Sequence, residues 1–456
     1  MRVVAALLLF GMILHLATFW PGIMTWDAIR QYGQAVSGEY DDWHPPAMNW
    51  LWRQLRGIAN GPAPMLVVQV LLYWGGTALL LRAALRRCQS RRRWIGAAAI
   101  ALLALNPIAL VLVGSILKDS LFAGTLLLAA GMLAVATPGQ AWLRVSAGAL
   151  LVVAATLRFN AVPACLPVLV ALAPTAWRRT LPRLAATAVL AAVPLVLALP
   201  LANAALHAKR SGVELSLVIY DLGGIGRFSR SDAFPPPTDA NAVAINRACY
   251  TAVSWDRYAW WGADPCPIGF ATLRAPLATQ HGPYGWWAAA VRAHPSAYLA
   301  HRLAHFDRNT RFIVKDGDLP GLSLASDPNR WGYTLAPDRL RSTVASLATA
   351  ALATPIGWPA CWIALALGLV VLRPSLREGD VASALAWSAL LYALSYLPLS
   401  VAYEVRYHLW TIVATGIAAA LLLIERATWT VPRWRLVLAV VPFAATLGAS
   451  IAARAL

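Results

Sequence analysis

Charged side chains are scarce in this chain: they make up 13% of its 456 residues. Only three of the 38 basic residues, counted as lysine and arginine, are lysine. A soluble domain carries roughly 25% charged residues. Hydrophobic residues make up 59% of the chain. This balance excludes an ordinary soluble enzyme and a disordered protein. The net charge is +18, but the basic residues cluster in short connections between apolar runs, so we expect no nucleic-acid partner.

Cysteine is also rare. The five residues are too few for a disulfide scaffold, and no pair has the spacing of a zinc site. Cys249 and Cys266 both fall in a long insertion between apolar runs. If that insertion lies in an oxidising compartment, we expect a disulfide between them; the alternative is two free thiols. The sequence has no internal repeat, which argues against a transporter built from inverted repeats.

Long apolar runs dominate the rest of the sequence. A helix that crosses a bilayer needs about 20 apolar residues. Eleven candidate runs lie near 3–20, 64–82, 94–113, 119–137, 142–157, 161–176, 184–204, 346–371, 381–398, 405–424 and 435–452. The sequence therefore predicts an all-α polytopic membrane protein with about 11 transmembrane helices. We interpret the first run as a retained helix, because Phe19-Trp20-Pro21 follows it instead of a signal cleavage site.

The distribution of basic residues predicts the orientation. Sixteen basic residues fall in one set of connections and seven in the opposite short connections. The positive-inside rule places the richer set in the cytoplasm. We therefore predict a multi-pass protein of the cytoplasmic (inner) membrane, with the N-terminus in the cytoplasm and the C-terminus outside.

Two segments on the predicted outer, periplasmic side are long, and loops of this length usually carry function. They divide the chain into a transmembrane module over 1–204 with a catalytic first outer loop at 21–63, an extracytoplasmic α-rich mixed domain over 205–345, and C-terminal transmembrane helices over 346–456. Within the insertion, Asp221-Leu222-Gly223-Gly224 predicts a turn and residues 286–313 predict an amphipathic helix.

Acidic residues concentrate on the outer side. Of the twenty, eleven fall in the insertion, three in cytoplasmic connections and six at outer helix ends. Ionisable groups at a membrane boundary are costly to desolvate and mark functional sites. The first outer loop combines Asp27, Asp41, Asp42 and His44. One interpretation is a solvated loop with interfacial tryptophans. The other is a catalytic pocket that supplies a general base or orients an acceptor.

The same loop is the predicted place for a metal ion. Asp27, Asp42 and His44 carry the oxygen and nitrogen donors that a divalent cation, Mg²⁺ or Mn²⁺, would require if one is bound. The sequence implies no other cofactor.

Two more polar landmarks precede the insertion. Lys118-Asp119 begins an apolar run, where Lys118 is suited to contact a phosphate as a point charge. The alternative is that Asp119 caps the next helix while Lys118 reaches the lipid headgroups. Arg158 lies near Asn160 on the outer side, where an arginine needs an anionic partner, either a phosphate or a carboxylate.

The last landmark is the segment 403–408, again at an outer helix end. Glu404 and Arg406 are able to pair with each other. The alternative is that Arg406 and His408 face an anionic lipid headgroup, with Tyr407 between them.

In chain order, these landmarks resemble those of the GT-C superfamily of integral-membrane glycosyltransferases. The resemblance is to the bacterial polyprenyl-phosphate-sugar-dependent branch related to protein mannosyltransferases and to the aminoarabinose transferases of lipid A. It rests on Trp26-Asp27 with His44-Pro45-Pro46, Lys118-Asp119-Ser120-Leu121-Phe122, Arg158-Phe159-Asn160 and Glu404-Val405-Arg406-Tyr407. It covers roughly 1–205 and 345–425, and it does not cover the insertion.

The resemblance implies roles for several residues. Asp27 matches the acidic residue that deprotonates or orients the acceptor, and Asp41 or Asp42 with His44 matches the second polar element of that loop. Arg158 and Arg406 match phosphate contacts. The remaining expected substrate-binding residues are Lys118, Asp119, Asn160, Glu404, Tyr407 and His408. The paired Asp-Glu of the protein mannosyltransferases is absent after Trp26, which leaves the acceptor class and a metal requirement open.

The resulting functional hypothesis is a hexosyltransferase. It moves a sugar from a polyprenyl-phosphate donor to a lipid, glycan or protein acceptor at the outer face of the membrane. One alternative is a polymerase or ligase of lipid-linked glycans, for which the insertion offers His281, His294, His301 and His305 as well as Arg302. Another is a polytopic transporter or flippase, and a third is an assembly partner without chemistry.

Overall fold

The computed structural model describes residues 2–87, 92–137, 139–236, 241–261, 264–279, 282–315, 317–336, 338–376, 381–425 and 431–455. Over these ranges the chain forms α-helices, four short 3₁₀-helices and no β-strand. The backbone also makes two isolated parallel bridges, between Ile23 and Ser115 and between Asp41 and Lys209. The predicted all-α fold is confirmed.

The helices before the insertion are α1 (Arg2–Phe19), α2 (Trp26–Ser37), α3 (Ala47–Leu55), α4 (Ala63–Arg87), α5 (Arg92–Ala104), α6 (Pro107–Gly114), α7 (Lys118–Val135), α8 (Ala141–Ala155), α9 (Val162–Leu172) and α10 (Leu181–Ala205). The insertion contains α11 (Glu214–Ser229), α12 (Ala242–Cys249), α13 (Phe270–Leu277), α14 (Gly282–Ala293) and α15 (Pro295–Thr310). The remaining helices are α16 (Arg339–Leu352), α17 (Pro359–Leu372), α18 (Val381–Leu399), α19 (Leu409–Glu425) and α20 (Arg433–Ala455). The 3₁₀-helices are Thr175–Trp177, Asp256–Tyr258, Pro355–Gly357 and Val405–His408.

The apolar helices identify a multi-pass membrane protein. In the described part of the chain, six helical segments are long and apolar enough to cross a membrane: α4, α7, α10, α18, α20, and α19 with the 3₁₀-helix before it. The pair α5 and α6, bent by 48°, forms a seventh if it is one span. Four shorter apolar helices, α1, α8, α9 and α17, occupy the other predicted runs. Each of the eleven runs holds a helix, but eleven spans are not confirmed.

The predicted orientation is not tested by the fold. Three of the arginines on which it rests, Arg91, Arg377 and Arg426, lie outside the described residues. The side of the membrane on which each loop lies stays a prediction.

The predicted run at 346–371 is not one helix, which corrects the sequence interpretation. It is divided between α16, which ends at Leu352, and α17, which begins at Pro359. Pro355 and Pro359 lack the N–H group that a continuing helix needs, and each begins a helical segment of its own. Gly357 lies between them so close to the end of α16 that an added Cβ would be 2.4 Å from the Cα of Leu352.

The chain divides into two compact units. The first comprises residues 1–209, 321–393 and 405–448. In it, α4 packs directly against the backbone of α7, because a Cβ at Gly76 would lie 2.6 Å from the carbonyl carbon of Leu127. Residues 321–345, which the sequence assigns to the extracytoplasmic domain, belong to this unit except for the undescribed position 337.

The second unit comprises residues 210–320, 394–404 and 449–456. The predicted turn at Asp221-Leu222-Gly223-Gly224 is wrong, because the stretch lies inside α11. Its glycines serve packing instead: a Cβ at Gly224 would lie 2.2 Å from the ring of His301 on α15. A disulfide joins Cys249 to Cys266 in this unit.

The predicted amphipathic helix over 286–313 is also two helices, since α14 ends at Ala293 and α15 begins at Pro295. The residue before a proline is disfavoured in the helical conformation, and His294 has an extended φ of −134° with ψ 58°. The break therefore follows from a single proline.

Candidate active site

Asp27 is the second residue of α2, and its side chain is 27% exposed. A carboxylate is favoured at this end of a helix, where the helix dipole is positive. Basic side chains from three other parts of the chain surround it. Arg406 lies in the 3₁₀-helix Val405–His408, Lys118 begins α7, and His44 lies in the turn before α3. The structure thus brings together three of the four sequence landmarks at one carboxylate.

The contacts of Asp27 divide between its two oxygens. Arg406 Nη1 lies 2.8 Å from Oδ2, and Lys118 Nζ lies 3.8 Å from the same oxygen. His44 Nε2 lies 3.5 Å from Oδ1. Burial works to raise the pKa of Asp27, but Arg406, His44 and Lys118 outweigh it and hold the pKa well below 3.8. The carboxylate is therefore ionised at neutral pH.

His44 links Lys118 to Asp27 through its ring. Lys118 Nζ lies 2.7 Å from His44 Nδ1. An ammonium group only donates hydrogen bonds, so Nδ1 accepts, and we assign the ring hydrogen to Nε2, which faces Asp27. Burial, followed by the positive charge of Lys118, lowers the pKa of His44 from 6.5 to about 4. The imidazole is therefore neutral at pH 7 and carries no charge into the site.

A second ion pair adjoins this group. Asp119, the residue after Lys118, is buried and pairs with Arg158. Arg158 Nε donates to Asn160 Oδ1 at 3.3 Å. The sequence predicts an anionic partner for Arg158, either a phosphate or a carboxylate. In the structure that partner is the carboxylate of Asp119.

Tyr407 connects the two groups. The guanidinium carbons of Arg158 and Arg406 lie 5.1 and 5.5 Å from the centroid of its ring, which is the geometry of cation–π contacts. Together these residues form what we call the Asp27 cluster: Asp27, His44, Lys118, Asp119, Arg158, Asn160, Arg406 and Tyr407.

The carboxylate of Asp41 contacts residues outside the Asp27 cluster. Its carboxylate pairs with Arg30 at 2.5 Å and accepts a hydrogen bond from the backbone N–H of Trp43 at 3.1 Å. Asp42 is half-buried, and its backbone N–H donates to the carbonyl of Lys209 at 3.1 Å. The contacts of Asp41 stabilise the loop that presents His44, and they do not place this carboxylate on the Asp27 cluster.

The segment 403–408 spans the boundary between the two units. Glu404 belongs to the second unit, whereas Arg406 belongs to the first and contacts Asp27. His408 is completely buried, so the prediction that it faces a lipid headgroup is wrong. His408 is the last residue of the 3₁₀-helix that also carries Arg406, whose side chain contacts Asp27.

The predicted metal ligands do not fit a divalent cation. Over the described ranges, no group of three or more His, Cys, Asp or Glu side chains is suited to hold a metal ion. Asp27 instead faces Lys118 and Arg406, and the positive charges of these two side chains would repel a metal cation placed there. Both ring nitrogens of His44 already face other side chains.

The second unit contains a polar cluster, which we call the Asp221 cluster; the sequence names Asp221, His301 and Arg302 separately but does not predict that they meet. Asp221 Oδ1 contacts His301 Nε2 at 2.9 Å and Arg302 Nη2 at 2.5 Å, while Oδ2 accepts from Trp287 Nε1 at 2.7 Å. His301 Nδ1 bonds the hydroxyl of Tyr250 at 2.9 Å. Asp221 and His301 are fully buried. Asp221 was one of eleven acidic residues in the insertion, and no local pattern separated it from the others.

Two of the described histidines of the alternative polymerase or ligase hypothesis lie in the protein interior. His301 and His305 are completely buried, and Arg302 is nearly so. His294 occupies the N-cap position of α15. His281 lies outside the described residues.

No protein-family model matches the chain, and no significantly similar curated protein was found. A solved structure similar to it is the archaeal oligosaccharyltransferase AglB from Archaeoglobus fulgidus, in complex with an inhibitory peptide and a dolichol-phosphate. The identity is 13% and the TM-score 0.38, over 98% of this chain and 55% of that one. The chain thus spans about half the length of AglB.

Proposed function

We propose that this protein is a membrane glycosyltransferase of the hexosyltransferase type. It transfers a sugar from a polyprenyl-phosphate-linked donor to a hydroxyl of a lipid, glycan or protein acceptor at the outer face of the cytoplasmic membrane. The observation that carries the proposal is the position of Asp27, an ionised carboxylate that contacts Arg406, Lys118 and His44 and remains 27% exposed.

The charges of the site suit a phosphate. Lys118 and Arg406 contribute two positive charges around the single negative charge of Asp27, and His44 is neutral. A bound phosphate is an anion and is attracted to both of these cations. Cations that are already in place stabilise the charge that develops on a leaving phosphate, because they need not reorganise during the reaction.

The reaction balances with these groups. The acceptor hydroxyl oxygen forms a bond to the anomeric carbon of the sugar, and the bond from that carbon to the phosphate oxygen breaks. The phosphate leaves with the electron pair, next to Lys118 and Arg406. The hydroxyl proton passes to Asp27. A single displacement of this kind inverts the configuration at the sugar carbon.

Donor binding also prepares Asp27 as a base. In the free protein, Arg406 and Lys118 hold its pKa well below 3.8, although burial opposes them, and so low a pKa makes a weak proton acceptor. When the same cations contact a phosphate, their stabilisation of the Asp27 carboxylate decreases, and its pKa rises. The base is thus activated only when the donor is present.

The test is sugar transfer from a panel of polyprenyl-phosphate hexoses, in membranes that contain the wild type or Asp27→Asn, with native membrane extract as the source of acceptors. We expect Asp27→Asn to reduce transfer by about 10²–10⁴-fold, the usual contribution of a general base. The matched control is Glu39→Gln, because Glu39 lies in the same loop, is exposed and pairs with Lys209 at 2.9 Å. Full activity of correctly inserted Asp27→Asn would contradict the role of Asp27. Absence of transfer from every donor would favour transport or another lipid-linked glycan reaction.

A further inference from the structure

Residues 23–25, which precede α2, form a short non-helical segment that is hydrogen-bonded to residues just before α7. Ile23 N donates to the carbonyl of Gly114 at 3.1 Å, and Ile116 N donates to the carbonyl of Ile23 at 2.9 Å. Residues 114–116 lead directly into Lys118. This bridge therefore fixes the register between the segment that carries Asp27 and the segment that carries Lys118.

A second segment binds the same residues. Met24 N donates to Ser326 Oγ at 3.0 Å, and Asp327 N donates to the carbonyl of Met24 at 2.8 Å. Trp26 N donates to Asp327 Oδ2 at 2.8 Å. Three hydrogen bonds thus hold residues 24–26 to two residues that lie far away in the sequence.

The carboxylate of Asp327 takes the place of a helix cap. Thr25 occupies the N-cap position of α2, but its side chain makes no capping hydrogen bond. The first N–H groups of a helix need acceptors, and a carboxylate is well suited to that position. Asp327 supplies this acceptor at Trp26, the residue immediately before Asp27. The cap of the catalytic helix therefore comes from outside its local sequence.

The segment that carries Asp327 is itself closed into a compact loop. Asn329 Nδ2 donates to the carbonyls of Asp327 and Tyr333 at 3.1 and 2.9 Å, and Tyr333 N donates to Asn329 Oδ1 at 3.0 Å. The rings of Trp331 and Tyr333 lie 4.8 and 5.7 Å from that of Tyr32 on α2. Residues 326–333, which we call the α2 clamp, thus contact α2 near its first turn and again further along.

We propose that Asp327 is a positioning residue, which acts through the backbone of Trp26 to hold Asp27 against Lys118 and Arg406. This inference rests on the proposed function of the Asp27 cluster. Asp27 contacts one of these cations at 2.8 Å and the other at 3.8 Å, so a small displacement of α2 changes both contacts. A displacement of about 1 Å is able to reduce a rate by about 100-fold.

The experiment compares Asp327→Ala with Asp327→Asn, which keeps an oxygen acceptor for Trp26 N. The matched control is Asp338→Ala. Asp338 caps α16 through its own bond to Arg341 N at 2.7 Å, so this change removes an equivalent cap in the same unit without touching α2. We expect Asp327→Ala to lower kcat at least about tenfold, with little change in the donor KM. We expect Asp327→Asn to restore most of the rate and Asp338→Ala to leave it unchanged.

Hydrogen exchange of the peptide covering 24–32 provides a readout independent of activity. We expect its amides to exchange faster in Asp327→Ala than in the wild type or in Asp338→Ala. Unchanged kcat in Asp327→Ala, or a raised KM at unchanged kcat, would overturn the positioning role. If the wild type transfers sugar from no donor, the proposed function fails, and the exchange measurement alone decides whether Asp327 holds α2. Should Asp327→Ala fail to fold, Asn329→Ala loosens the clamp and is expected to lower kcat by a smaller factor.

Discussion

The two units each contain a carboxylate that contacts a histidine and an arginine, and the two clusters differ in exposure and in charge. Asp221 is fully buried, and its oxygens contact His301, Arg302 and Trp287. Asp27 is 27% exposed, and two full positive charges lie beside it, those of Lys118 at 3.8 Å and Arg406 at 2.8 Å. Asp221 pairs with Arg302 in the protein interior, whereas Asp27 lies beside two cations and is partly exposed.

This difference separates stabilisation from chemistry. A buried carboxylate whose oxygens are fully hydrogen-bonded offers a substrate neither access nor an unused charge, so its contacts hold elements of the protein together. A partly exposed carboxylate with two cations beside it is accessible, and those cations attract an anion that arrives from outside. Similar side chains thus serve different purposes because their surroundings differ. Four predictions test this comparison.

The largest expected effect is on stability. Asp221→Asn leaves the charge of Arg302 buried without its partner, and breaking such a pair costs about 3–5 kcal/mol in the free energy of unfolding. Asp27→Asn should cost less, because the Asp27 side chain is 27% exposed, whereas that of Asp221 is completely buried. Thermal unfolding of the two purified variants measures the contrast. Equal stabilities would show that the two clusters do not differ in this respect.

The disulfide is the next largest contribution, and it also belongs to the second unit. Cys249 and Cys266 are 17 residues apart, and closing a loop of that size stabilises a protein by about 3 kcal/mol. We expect the double change Cys249→Ser and Cys266→Ser to lower the unfolding temperature. Cys165→Ala, at a buried free cysteine of the first unit, is the control for loss of a thiol. Counting reactive thiols in denatured protein, with and without prior reduction, should give a difference of two.

A kinetic prediction distinguishes the two arginines. Arg406→Gln removes a cation proposed to bind the donor phosphate. A hydrogen bond to a charged group contributes about 1.5–3 kcal/mol, so the donor KM should rise about 10- to 100-fold. Arg302→Gln should lower the yield of folded protein and leave the KM of the folded fraction unchanged. A raised KM in the folded Arg302→Gln protein would move the donor site toward the second unit.

The smallest expected effect is a dependence of stability on pH. The pKa of His44 is about 4 in the folded protein and ordinarily 6.5, so the unfolded chain takes up its proton first as the pH falls. Stability should therefore decrease between about pH 6.5 and 4, on the order of 1–2 kcal/mol by pH 5. Asp27 stays ionised over this range, because its pKa lies well below 3.8. His44→Asn should weaken the decrease, as measured by unfolding temperatures at pH 7 and pH 5; an identical slope would show that another group titrates.

Much of the Asp27 cluster could be predicted from the sequence, because charge is rare in this chain and each ionisable residue at a helix end is conspicuous. Asp27, His44, Lys118 and Arg406 were identified in this way. Asp41 looked equally suitable, since it lies in the same loop. In the structure the Asp41 carboxylate pairs with Arg30 and accepts a hydrogen bond from the Trp43 N–H, whereas Asp27 contacts the cations. This difference depends on how the loop folds.

The sequence by itself determined the all-helical membrane architecture, because the transfer of a side chain into an apolar environment depends on the composition of each local run. Proline alone does not determine where helices break: α15 begins at Pro295 and α17 at Pro359, where the sequence predicted continuous runs, whereas Pro194 and Pro200 lie inside α10. Only the tertiary structure decided which carboxylate meets the cations, and that Asp327 caps the helix of Asp27. Those contacts join residues hundreds of positions apart, and their energy exists only after the chain has folded.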